Sequence, residues 1–228
     1  VAGLTLTSSI TGPNAASEQL LSNGSITLTA TYTGGTSGIS YQWDVGDGYK
    51  NGTYKKTFLG SDLTVGKTYT IHCKVIENEV ETTKDCTITV KDASKVTIVT
   101  EPTSLTMSDK AASQNLSATL KDNGAIVKDS VKYSFVSENT RVATVSQETA
   151  GSPNATVKLA GNGETYIKVT AEYLGGKIEK SVPFYGEVHE VTLDEVENGK
   201  SETYSYNTLL SAADKTFRGV SIKSIKVN

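Results

Sequence analysis

Thr68-Tyr69-Thr70-Ile71-His72-Cys73-Lys74-Val75-Ile76 and, after a short polar break, Thr83-Lys84-Asp85-Cys86-Thr87-Ile88-Thr89-Val90 decide the fold class. In both runs apolar and polar residues alternate, the period of a strand with one face on a core and the other in water. If Cys73 stands opposite Cys86, the same register pairs Ile71 with Ile88 and Lys74 with Asp85. Ile71, Cys73, Val75, Cys86, Ile88 and Val90 then share one apolar face. Register and hydrophobicity agree on a hairpin.

Outward from this hairpin the same period recurs. In the first third, residues 4–8, 26–32, 39–44, 55–59, 68–76 and 83–90 read as strands, separated by turn clusters such as Ser22-Asn23-Gly24 and Gly34-Gly35. The next third repeats the plan at 96–99, 114–120, 131–136, 142–145, 155–159, 165–173 and 177–184, as many strands as an immunoglobulin-type sandwich holds. Its inward sets are Leu116, Ala118 and Leu120, then Val131, Tyr133 and Phe135, then Ile167, Val169 and Ala171. No stretch keeps apolar residues at helical spacing without a Gly, a Pro or a β-branched run breaking it. The fold class is all-β: tandem immunoglobulin-like β-sandwiches with a short C-terminal extension.

The domain reading is 1–92, 93–186 and 187–228. Lys91-Asp92-Ala93-Ser94 joins the last strand of one sandwich to the first of the next, a short polar junction that permits limited bending and favours an end-to-end rod. The final segment is too short for another independent sandwich. Its strand candidates are 188–193, 202–206 and 220–227, with 209–214 as the one helical candidate, and it reads as part of a further domain or an extension needing a partner's strand edge. A length of 228 residues, against a typical domain of roughly 150, accommodates this division.

A formal charge of −3, from 25 acidic and 22 basic residues spread along the chain, gives no electrostatic reason to expect nucleic acid or an anionic membrane. No apolar run is long enough to span a bilayer. The opening Val1-Ala2-Gly3, with neither initiator Met nor signal peptide, reads as a processed or trimmed start.

Tyr41-Gln42-Trp43-Asp44-Val45-Gly46-Asp47-Gly48 resembles the Tyr-x-Trp-x-Phe-Gly-Asp-Gly motif of PKD-type immunoglobulin-like domains, with Val45 in place of Phe. Gly66-Lys67-Thr68-Tyr69-Thr70-Ile71 resembles the Gly-x-Tyr-x-Val step into the penultimate strand of that family. Trp43 is the expected core plug between two sheets, and Gly46-Asp47-Gly48 supplies positive-φ positions for a tight turn. In the second third, Phe135-Val136-Ser137-Glu138-Asn139-Thr140-Arg141-Val142-Ala143-Thr144-Val145 resembles the bacterial immunoglobulin-like group 2 domain, with Phe135 as a smaller plug where that family has Trp. Gly161-Asn162-Gly163-Glu164-Thr165-Tyr166-Ile167 fits the same family's step into its sixth strand.

At a non-hydrogen-bonded pair site, Cys73 and Cys86 would lie roughly 4.5 Å apart at Cα, near the lower limit for a disulfide. Such a bridge would contribute about 2–3 kcal/mol. Two buried thiols in a protein folded in a reducing cytoplasm are the alternative, with oxidation favoured because chance seldom places two Cys opposite one another.

The residues that could carry chemistry are explained by turns and strands. Gly66-Lys67-Thr68 lacks the spacing and the following helix of a phosphate-binding loop. His72 lies on the solvent face of its strand and His189 far away in the tail, neither near a recognisable partner. Asp44 and Asp47 suit a turn better than a calcium site. Acidic residues are scattered, and no nucleophile elbow occurs. The Asn-x-Ser/Thr sequons at Asn23, Asn51, Asn115 and Asn154 are chance in so Ser/Thr-rich a chain. The reading is of no enzyme, no metal and no cofactor. Tyr49 and Tyr54 around the loop after Trp43, and Tyr173 beside Gly175-Gly176, are the candidate glycan contacts, because an aromatic face stacks on a sugar while its hydroxyl stays wet.

Both resemblances imply spacers, stalks and adhesion modules, and the tandem resembles the decorations of tailed-phage tails and heads. The expectation is a non-enzymatic tail or capsid appendage on a virion surface, partnered by other virion subunits and giving weak attachment to bacterial surface or glycans. The alternatives are a stalk of a bacterial cell-surface protein and the accessory carbohydrate-binding region of a secreted enzyme.

Overall fold

The computed structural model describes residues 3–187 except 36 and 129. The elements expected at 188–193, 202–206, 209–214 and 220–227, and His189, lie outside the described residues.

The first sandwich comprises β1 (Gly3–Ser8), β2 (Gly12–Pro13), β3 (Ser17–Leu21), β4 (Ser25–Thr33), β5 (Ile39–Asp44), β6 (Lys50–Gly52), β7 (Lys55–Leu59), β8 (Thr68–Glu77) and β9 (Val80–Lys91). They form two sheets, ordered β2-β1-β4-β7 and β3-β9-β8-β5-β6. A single 3-10 turn, Ala93–Lys95, leads into the second sandwich. This comprises β10 (Val96–Glu101), β11 (Leu105–Met107), β12 (Ser113–Asp122), β13 (Ala125–Ile126), β14 (Lys132–Ser137), β15 (Ala143–Gln147), β16 (Asn154–Leu159), β17 (Gly163–Tyr173) and β18 (Gly176–Gly186). Its sheets run β10-β12-β16-β15, with β13 on β12, and β11-β18-β17-β14. In each sandwich the opening segment splits: β1 and β10 pair antiparallel in one sheet, and β3 and β11 cross to lie parallel to the last strand, β9 or β18, in the other. The fold is immunoglobulin-like.

Period-two alternation builds both cores. Leu6, Ile26, Leu28, Trp43, Ile71, Val75 and Ile88 close the first, and Leu116, Leu120, Phe135, Val157, Ile167, Val169 and Phe184 the second. Burying each large apolar side chain contributes about 1.5–3 kcal/mol. Tyr133 is buried too, and its hydroxyl oxygen accepts a 2.8 Å bond from the Leu120 amide.

The β8–β9 hairpin keeps its expected apolar face but not its expected partners. Ile71 stands opposite Cys86, and Cys73 opposite Lys84. Cys73 and Cys86 are both buried and offset by one diagonal step, with no disulfide between them, so the expected Cys-to-Cys register is corrected. The turn sets this register. Glu77 pairs with Val80 across Asn78-Glu79, whose φ values of 47° and 65° are those of a two-residue primed turn. The Cys-to-Cys register would put β-branched Val80 in a left-handed position, which it tolerates far less well than Asn78 does. A shift of one residue on each strand leaves the faces unchanged and alters every pair.

β3 and β11 are not announced by an alternating apolar run. β3 places Glu18 on the inward side, fully covered, with Oε1 accepting a 2.5 Å bond from the Thr11 hydroxyl and Oε2 unpartnered. β11 is three residues long. Both are held by parallel pairing to a distant strand, a contact that no local pattern announces.

Candidate functional site

Three regions are candidates: the outward face of β5, β8 and β9, the junction between the sandwiches, and the outer face of the second sandwich. On the first, Asp44 stands opposite His72, and His72 opposite Asp85. His72 has a partner after all, its Nδ1 lying 2.7 Å from Asp85 Oδ1. Asp44 spends one carboxylate oxygen on the turn that follows it, accepting from the amides of Gly46, Asp47 and Gly48 at 2.7, 3.1 and 3.0 Å. These bonds, Gly46's foremost, hold its carboxyl below the usual carboxylate range, against the opposing pull of desolvation. Asp47 pairs with Lys50. The loop is thus tied by its own acids, and among the described residues no group of three or more His, Cys, Asp or Glu could hold a metal ion.

Beside that row, Lys74 pairs with Glu81 at 2.9 Å and lies 4.1 Å from the ring centroid of Tyr49. The Gln42 amide donates to Asn51 Oδ1 at 3.0 Å. Trp43, one residue on, points inward, is buried, and donates from Nε1 to the Thr53 carbonyl at 2.9 Å. Tyr41 shares that inward side and meets Tyr54 edge to face, centroids 6.5 Å apart. Tyr49 therefore sits on the outer face of the sheet and Tyr54 on the opposite side of the β5–β6 hairpin, so one sugar could not stack on both. Tyr173 is half-buried against the second core. The three tyrosines form no common surface.

Gly66-Lys67-Thr68-Tyr69 is a structural corner. The Tyr69 hydroxyl oxygen accepts from the Thr64 amide at 2.9 Å, and Lys67 lies over the ring, so this Gly-Lys-Thr serves the sandwich and holds no phosphate-binding geometry.

The short polar junction is flanked by direct bonds between the two sandwiches. Leu21 N–H donates to Leu174 O and Ser25 N–H to Gly175 O, both at 3.0 Å, and the Asn23 amide donates to Lys177 O at 2.9 Å. Ala93 N–H donates to the Ser22 hydroxyl at 3.1 Å, and Lys91 pairs with Asp122. Leu21, at the end of β3, completes the second core. The loop after β3 and the β17–β18 hairpin are thus bonded backbone to backbone, flanking a shallow cleft of about 460 Å³ lined by Asn23, Ser25, Leu59, Ser61 and Lys177.

Sequence reasoning missed a further group on the outer face of the second sandwich, where Val136, Tyr166, Pro183 and Tyr185 all point to solvent. The signal was present: apolar residues occupy the alternate positions of β14, β17 and β18 that the strand period assigns to the polar side.

No family model and no curated protein sequence matches the chain. Among solved structures it is similar to fibronectin(III)-like modules of Clostridium thermocellum CbhA, 14% identical, covering 85% of this chain and 100% of that one at a TM-score of 0.45. It is also similar to the three N-terminal domains of the bacteriophage RB49 highly immunogenic outer capsid protein, 18% identical, covering 82% and 59% at 0.38. Domains 4 and 5 of the S-layer protein SbsC are 24% identical, covering 52% and 65% at 0.35. At these TM-scores the neighbours say nothing about what this chain does.

Proposed function

We propose that this chain is a non-enzymatic spacer and adhesion module of an extracellular surface assembly, built from two units at 1–92 and 93–186, the first PKD-like and the second of the bacterial immunoglobulin-like group 2. One observation carries the reading: the described chain starts at one end of the pair and leaves at the other, across a bonded junction. β4 begins at the junction with Ser25 and ends at Thr33 opposite Gly3, while β18 begins at the junction with Gly176 and ends at Gly186. A pair threaded in this way holds whatever precedes and follows it at a fixed separation. Small-angle scattering tests this. A curve fitted by one elongated arrangement is expected, and a curve that requires a wide spread of angles between the sandwiches overturns it.

Within that class we assign the chain to a phage tail or capsid appendage. Cys73 and Cys86 are buried and do not stand opposite one another, an arrangement that suits a protein assembled in a reducing cytoplasm. Mass spectrometry of purified virions and of bacterial envelopes separates this reading from a cell-surface stalk.

A further inference from the structure

We propose that the outer face of the sheet β11-β18-β17-β14 is a carbohydrate-binding surface that takes a short run of neutral sugar rings along the band Thr106, Tyr185, Pro183, Tyr166 and Val136. The inference rests on the adhesion reading above and places its ligand at a site separate from Tyr49, Tyr54 and Tyr173.

The register puts the band together. Thr106 is paired with Tyr185 across β11 and β18, and Tyr166 stands opposite Pro183 across β18 and β17. Tyr185 follows Pro183 by two residues and so shares its face. Val136 is opposite Lys168, one diagonal step from Tyr166. Diagonal neighbours in an antiparallel pair lie about 7–8 Å apart, within reach of aromatic side chains. The band therefore crosses all four strands, which at about 4.8 Å per strand makes it roughly 14 Å long. Both rings are open to solvent, Tyr166 at 49% and Tyr185 at 41% relative exposure, as is Val136 at 58%. Their chain neighbours Thr165, Ile167, Val182, Phe184 and Phe135 are buried, so the strands that present them are anchored in the core. Pro183 also shapes the face. It has no N–H to give, and the ladder to β11 begins one residue later, at Phe184.

The chemistry around the band selects a sugar over a protein. A stable protein interface buries about 800 Å² on each partner, far more than these few side chains present, and scattered single apolar residues would need no explanation. A pyranose ring, by contrast, offers a C–H face to a tyrosine and hydroxyls at its rim. Hydrogen-bonding groups stand at that rim: Glu164 opposite Tyr185, the Tyr185 hydroxyl donating to Glu187 at 2.9 Å, and Lys168 paired with Glu179 at 2.8 Å. Acids and a paired base at the edge, with no free cationic cluster among the described residues, suit uncharged hydroxyls better than an anionic polymer.

Affinity electrophoresis of the full chain in native gels containing hydroxyethylcellulose, mannan or dextran tests the site. Retardation is expected in at least one gel. The Tyr166→Ala/Tyr185→Ala double variant should bind about tenfold or more weakly, two stacking contacts having been lost. Tyr166→Phe/Tyr185→Phe, which keeps both rings, should retain most of the retardation. Unchanged thermal unfolding of both variants shows that the fold is intact. Retardation that survives the double alanine variant but is lost in Tyr49→Ala/Tyr54→Ala overturns this site and leaves the adhesion reading standing. A wild-type chain unretarded in all three gels overturns the site, and the scattering experiment above then decides the spacer reading independently.

Discussion

Gly175→Ala should uncouple the two sandwiches while leaving each folded. Gly175 sits in the primed turn between β17 and β18 at a φ of +73°, and a Cβ built there would lie 2.3 Å from the Ser25 carbonyl oxygen of the first sandwich. The obstructing atom is backbone, so no rotamer change relieves the clash. The left-handed conformation itself costs an alanine about 1–2 kcal/mol. Relief of the clash pulls the hairpin off the loop after β3, breaking the bonds Leu21 N–H to Leu174 O, Ser25 N–H to Gly175 O and Asn23 to Lys177 O. At about 0.5–1.5 kcal/mol net for each bond, the coupling falls by about 1.5–4.5 kcal/mol. Gly124→Ala is the control, because its φ of +81° imposes the same backbone cost with nothing within 4 Å of the added carbon. Nitrogen-15 relaxation reads the outcome. The wild type and Gly124→Ala should tumble as one body with a shared correlation time, and Gly175→Ala as two bodies with shorter ones. A Gly175→Ala chain that tumbles like the control refutes the claim that the junction is a bonded lock.

Trp43→Ala should cost the first sandwich about 3–5 kcal/mol in urea unfolding, since it empties a core position and leaves the Thr53 carbonyl without its donor. The thiols give an alkaline signature. Burial pushes Cys73 up to about 12, and burial with the Glu18 carboxylate beside it pushes Cys86 up to about 11. The unfolded chain loses these protons from about 8.5, so it binds fewer protons than the native state and stability falls as pH rises through that window. Urea titrations at rising pH should show this slope, and Cys73→Ala/Cys86→Ala should flatten it. Native protein should also resist thiol alkylation and show no mass change on reduction. Asp44 acts in the opposite direction: its carboxyl is held low by backbone donors, so its contribution is present at neutral pH and lost as pH falls through the depressed value. Asp44→Asn should remove that part of the acid slope, read by thermal unfolding between neutral and acid pH.

The residues of the two cores and the paths of the long strands were legible because each long strand is half-buried, and a half-buried strand must alternate. Leu116, Ala118 and Leu120, or Ile167, Val169 and Ala171, face inward for no subtler reason. Register was less legible. The hairpin at Cys73 and Cys86 satisfies the same alternation in two registers, and the preference of Asn78 over Val80 for a left-handed turn position separates them. β3 and β11 were illegible because their stability comes from parallel pairing to β9 and β18, which lie far along the chain. Tyr49, Tyr54 and Tyr173 lie in or beside loops, and a loop's sequence does not report which side of a hairpin a ring will take.

Local composition and periodicity alone determine that this protein is all-β, that its two halves each close a sandwich, and which side chains line the cores, because those properties depend on spacing along one strand. Tertiary structure decided the rest: that Cys73 meets Lys84 and not Cys86, that a remote hairpin bonds to the loop beside the four-residue linker, and that Val136, Tyr166, Pro183 and Tyr185 gather from three strands into one band. Each of these is a relation between strands. A strand's own sequence carries the direction of its side chains, whereas the identity of its neighbours is settled by turns, crossovers and packing elsewhere in the molecule.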